Sequence, residues 1–102
     1  MPEPWELELP EVRRIPTDTG SYIEPPLEQD YSDDEKIAWH AAVIALDTGA
    51  TIRVFAHFEN HRRSYSIMIP GHYSGSSRGF QQIWEWLNGF DIGYRTARNT
   101  NA

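Results

Sequence analysis

Two apolar runs near the middle of the chain constrain its fold more than any other feature. Ile52, Val54, Ala56 and Phe58 occupy alternate positions, and so do Tyr65, Ile67 and Ile69. Side chains on a strand alternate between its faces, so each run has one apolar face. The first set is even-numbered and the second odd-numbered. An antiparallel pair puts both sets on one side only if even positions oppose odd ones. Pairing Ile52 with Ile69, Val54 with Ile67, Ala56 with Tyr65 and Phe58 with Arg63 does this. The turn then falls on Asn60-His61, where Asn tolerates the positive φ of a tight hairpin turn. Glu59 and Arg62 flank it as an opposite-charge pair. A slip of one residue would turn the apolar set outward, so a hairpin over 51–58 and 63–70 is specified in register. Its other face carries Arg53, Phe55, His57, Ser64, Ser66 and Met68.

A hairpin with one apolar face needs a cover. Ser32-Asp33-Asp34-Glu35 reads as a capping box, with Ser32 accepting from the Glu35 N–H and Glu35 reaching back to the Ser32 N–H. Asp33 and Asp34 suit the positive end of the helix dipole. The predicted helix spans 33–47. Ile37, Ala41, Ile44 and Ala45 form one stripe, Trp39, Val43 and Leu46 another, and Gly49 is the left-handed stop. A second helix is predicted over 79–88, with Phe80, Ile83, Trp84 and Leu87 on one face and Asn88-Gly89 ending it. Trp5-Glu6-Leu7-Glu8-Leu9 and Phe90, Ile92, Tyr94 alternate, which predicts short edge strands near 5–9 and 90–94. The expected fold is α+β: a small antiparallel sheet with two helices on one face. The expected core is Ile37, Ala41, Ile44, Ile52, Val54, Ile67, Ile69, Phe80, Ile83, Trp84 and Leu87.

The 102 residues suit one core, and the net charge of −6 hides two populations. Residues 1–35 hold eleven acids and two arginines, a charge of −9, and residues 36–102 hold four acids and seven bases, a charge of +3. Six of the seven prolines lie at or before Pro26. The expected organisation is an acidic, Pro-rich extended arm (1–31), a compact domain (32–95) and a frayed tail (96–102). Thr17 to Ser21 reads as a turn cluster and Pro25-Pro26 as extended. The absence of Cys excludes disulfides, thiolate zinc sites and a Cys nucleophile. The first residues have neither the basic nor the apolar region of a secretory signal, and no apolar run approaches a membrane span. A cytoplasmic protein without membrane contact, monomeric or homodimeric, is expected.

Three constellations bear on chemistry. Gly75-Ser76-Ser77-Arg78-Gly79 matches Gly-x-Ser-x-Gly, but a nucleophile elbow also needs a large sheet to bring in a His and an acid. The bland alternative makes Ser77 a helix cap in a Gly/Ser loop over Gly71–Gly79. No catalytic residue is expected. His57 and His61 fall on a strand and at a turn, roughly 10 Å apart by strand rise, so no metal site or cofactor is expected. Arg53, His57, Arg62 and Arg63 make a cationic hairpin beside Phe55, and His72, Ser77 and Arg78 lie at a helix start. These seven residues are the candidates for an anion or nucleic-acid site. The helix–hairpin–helix order loosely resembles a double-stranded-RNA-binding domain, but the loop before the last helix carries no lysines to meet phosphates, the one Lys being Lys36.

The acidic arm supports a different reading. Glu6, Glu8 and Glu11 with the aromatics Trp5, Tyr22, Tyr31 and Trp86 form a candidate partner-binding set, suited to a basic protein surface. Small acidic proteins of this kind include inhibitors: immunity proteins, antitoxins and phage anti-defence proteins. The expectation is therefore a non-enzymatic protein that blocks a basic site on a partner. The alternative is a small nucleic-acid or anion-binding module.

Overall fold

The computed structural model describes residues 4–71 and 75–100, with backbone alone at 59, 75–78 and 97–100. The order is β1 (Trp5–Glu6), β2 (Arg13–Thr17), β3 (Gly20–Glu24), α1 (Asp33–Thr48), β4 (Arg53–Glu59), β5 (Arg62–Met68), β6 (Gly75–Arg78) and α2 (Phe80–Thr100). The fold is α+β. One sheet has the order β1-β4-β5-β6, and β2-β3 form a separate two-stranded sheet.

The central hairpin has the register that its alternation dictates: Val54 opposes Ile67, Ala56 opposes Tyr65 and Phe58 opposes Arg63. Asn60 and His61 both take positive φ, 51° and 65°, as the tight turn requires. Ile52, Val54, Ala56, Tyr65, Ile67 and Ile69 meet Ile37, Ala41 and Ile44 of α1 and Ile83 and Leu87 of α2 in one core. Both helices thus cover the same sheet face. They run in the same direction, since His40 stacks on Trp84 and Asp47 meets Arg95.

α1 is delimited as its sequence demands. Ser32 and Glu35 form both halves of the capping box, at 3.3 and 3.0 Å. Gly49 sits at φ 75° and donates to the Ala45 carbonyl, a backbone conformation that side chains with a Cβ resist.

Four expectations need correction. Residues 90–94 are not a strand: α2 continues through Asn88-Gly89 to Thr100. A helical Gly costs only about 1 kcal/mol. Against that, Trp86 stacks on Phe90 and Phe90 meets Tyr94 at a tilt, at four-residue spacing, with ring centroids 5.8 and 6.1 Å apart. Arg95 adds ion pairs to Asp91 and Asp47. Second, part of the Gly/Ser segment is strand β6, paired to β5 across a bulge. Its composition disfavours a strand, but the free edge of β5 supplies hydrogen-bond partners that override propensity. Third, residues 13–24 form the β2–β3 hairpin, closed at the expected turn. Last, Phe80 and Trp84 are half-buried, at the margin of the core, because Trp84 lies between His40 and Phe80 with ring centroids 4.2 and 5.7 Å away.

Candidate functional site

The N-terminal segment lies along the sheet and α1. β1 pairs antiparallel with β4, Trp5 opposite Ala56 and Glu6 opposite Phe55, and the Leu7 N–H donates to the Val54 carbonyl. Alternation then sorts its side chains. Trp5, Leu7 and Leu9 pack against the core, while Glu6 and Glu8 are exposed. The Arg53 Nε donates to Glu6 Oε1 at 2.6 Å, and the Arg53 guanidinium lies 5.2 Å over the Phe55 ring.

The hairpin's other buttress is Asp34, in the first turn of α1. One carboxylate oxygen accepts from the Tyr65 hydroxyl at 2.6 Å, the other from Arg63 at 2.7 Å. Burial first, then the hydrogen bond to Asp34 and the charge of that carboxylate, push the Tyr65 phenol well above its ordinary range. It therefore stays a donor. The Arg63 guanidinium also lies over the rings of Trp5 and Phe58, at 5.3 and 4.9 Å. Two of the four hairpin residues read as an anion site, Arg53 and Arg63, are thus paired with the chain's own carboxylates. His57 is half-buried opposite Ser64, and Arg62 is exposed next to the turn.

For the rest of that candidate set only the backbone of β6 is described, and it pairs with β5, Arg78 opposite Tyr65. His72 lies outside the described residues, as do the side chains of Ser77 and Arg78. The backbone places Ser77 inside β6, two residues before the Gly79 carbonyl that accepts the first bond of α2. Ser77 is therefore neither the helix cap nor at the strand-to-helix turn of a nucleophile elbow. α2 opens with Phe80-Gln81-Gln82, without a basic residue.

The partner-binding set divides. Glu8, Glu11 and Tyr31 converge on a cleft of about 420 Å³ between the N-terminal segment and α1. Trp5, Tyr22 and Trp86 do not line it: Trp5 and Trp86 pack against the core, and Tyr22 stands exposed on β3. The cleft adds residues that sequence reasoning missed, Trp39, Glu35, Pro10 and Pro25. Trp39 is fixed there because its indole N–H donates to the Pro25 carbonyl at 2.8 Å. The signal for it was present: its helical stripe lies off the core stripe, which leaves the indole for something other than the sheet. Among the described residues, no ion pair reaches Glu8 or Glu11. A second groove of about 530 Å³ shares Glu11 and Pro25 with the first and extends it to Arg13 and Glu24.

The β2–β3 hairpin is tied to the last turn of α1 by Arg14, whose guanidinium grips both oxygens of Asp47 at 2.6–3.1 Å and also meets Ser21. Between the helices, burial lowers the His40 pKa, opposed by a hydrogen bond with Asn88 and the charge of Asp91. No helix among the described residues is long and apolar enough to cross a membrane. No protein-family model, curated protein or solved structure matches the chain.

Proposed function

We propose that the chain is a non-enzymatic protein-binding protein that occupies a basic site on a partner protein, in the manner of a small acidic inhibitor. The asymmetry of its ion pairs carries this reading. The cationic hairpin is offset in cis by Glu6 and Asp34, at 2.6 and 2.7 Å. The carboxylates of Glu8 and Glu11 stay exposed beside an aromatic-walled cleft. A polyanion approaching the hairpin would compete with two existing pairs and meet a segment of its own sign. A basic protein meets complementary charge, which speeds encounter, and aromatic surface that can anchor it.

The test is a paired binding titration of the whole chain. An arginine-rich peptide and single- and double-stranded nucleic acid are each presented at low and raised salt. The expected result is peptide binding that weakens as salt screens it, and no complex with either nucleic acid. Nucleic-acid binding abolished by changing Arg62 and Arg63 together, without peptide binding, would overturn the proposal in favour of the anion-binding module. Deletion of residues 1–31 is the wrong instrument, because Trp5, Leu7 and Leu9 pack on the core.

A further inference from the structure

We infer that the cleft between the N-terminal segment and α1 receives an arginine side chain from an extended segment of the partner. This rests on the protein-binding reading and names the chemistry of its contact. Three observations converge. Trp39, Tyr31, Pro10 and Pro25 supply ring surfaces to a concavity of about 420 Å³, room for a side chain. Glu8 and Glu11 line the same cleft, exposed and without an ion-pair partner among the described residues. The cleft also shares Glu11 and Pro25 with the second groove, in which Glu24 is already paired with Arg13 at 3.1 Å. A single small cation would need only the first groove. An extended segment uses both.

Arginine fits this set better than lysine. Its planar guanidinium stacks on aromatic faces while forking to carboxylates, whereas an ammonium is a compact, strongly hydrated point charge. The indole is held by Pro25, so it need not reorganise to accept the guanidinium. Glu35 also lines the cleft, but one of its oxygens is engaged in the capping box. Glu8 and Glu11 are therefore the carboxylates that meet the guest.

The indole N–H signals of the four tryptophans provide the readout. The Trp39 signal is assigned by its loss in Trp39→Phe. N-acetyl-arginine methylamide, the lysine counterpart and a Gly-Arg-Gly peptide are each titrated into the full chain by ¹H–¹⁵N NMR. The expected result is a saturable shift of the Trp39 signal with both arginine ligands, while the other three stay in place. Glu8→Gln combined with Glu11→Gln should weaken binding roughly tenfold, at up to about fivefold for each exposed pair. Unmoved signals of the remaining tryptophans show that this variant keeps its fold. Equal binding of the lysine ligand overturns the choice of arginine. A linear, unsaturable shift, or one unchanged in the double variant, overturns the site. If an arginine-rich peptide still binds while Trp39 does not respond, the cleft is rejected and the protein-binding reading survives. If neither binds, both fall.

Discussion

The molecule contains two β-hairpins that are held by opposite means. β4–β5 turns one face into the core, where Val54, Ala56, Tyr65 and Ile67 are all but inaccessible. β2–β3 has no fully buried residue. It is held by Arg13 to Glu24 across the strands and by Arg14 to Asp47. Apolar burial stabilises by about 25 cal/mol per Å², so a large side chain contributes about 2 kcal/mol. An exposed ion pair contributes at most about 1 kcal/mol. The first hairpin is therefore part of the domain's cooperative unit. The second is an annex that can open while the domain stays folded.

That contrast can be broken most directly in the core. Ile67→Ala should lower stability by about 2–5 kcal/mol, read from the urea midpoint, because it deletes buried volume at the centre of β5. A loss below about 1 kcal/mol would mean that β4–β5 is no better anchored than its counterpart. Next in size is Asp34→Ala, which strands the Tyr65 hydroxyl and removes the partner of Arg63. About 1–3 kcal/mol is expected. The same substitution in a Tyr65→Phe background should cost less, and equal costs would show that the bond is idle.

A smaller effect concerns the helices over the first hairpin. Burial lowers the His40 pKa in the folded state, so the unfolded chain takes up the proton first. Stability should hold above about pH 6.5, the ordinary histidine value, and decline as pH falls through it. His40→Gln should flatten that part of the profile of melting temperature against pH. A persisting slope would assign it to other groups.

The smallest expected change is in Arg14→Ala. Global stability should drop by less than about 1 kcal/mol. Amide exchange in β2–β3 should accelerate while that in β4–β5 stays slow. If both hairpins speed up together, the annex is part of the cooperative unit after all.

The same contrast explains which parts of the fold could be read from sequence. The register of β4–β5 was legible, though its strand ends lie one or two residues from those expected, because a buried face punishes every other register. The caps of α1 were legible because Ser32, Glu35 and Gly49 each satisfy a local backbone demand. β2–β3 was not, since strands without a buried face leave no alternation to find. In α2, the period-two sequence Phe90, Ile92, Tyr94 hid the four-residue spacing Trp86, Phe90, Tyr94, and Gly89 suggested a stop that packing overrides. For the candidate cleft, three of its residues were readable as acidic or aromatic members of the N-terminal segment. Trp39 was seen only as a helix stripe, because what it faces depends on where residues 8–11 and 25 return to α1.

The brief strand β1 has a consequence of another kind. Its hydrogen bonds occupy the outer flank of β4 at Val54 to Ala56, beside Phe58, a large apolar side chain left exposed. Stripped of residues 4–9, that flank would offer unpaired peptide groups next to an aromatic, the pattern through which sheets join edge to edge into aggregates. These few residues therefore act as a guard on the sheet's outer strand. A shortened chain is expected to be lost to precipitation before any weakening of partner binding could be measured.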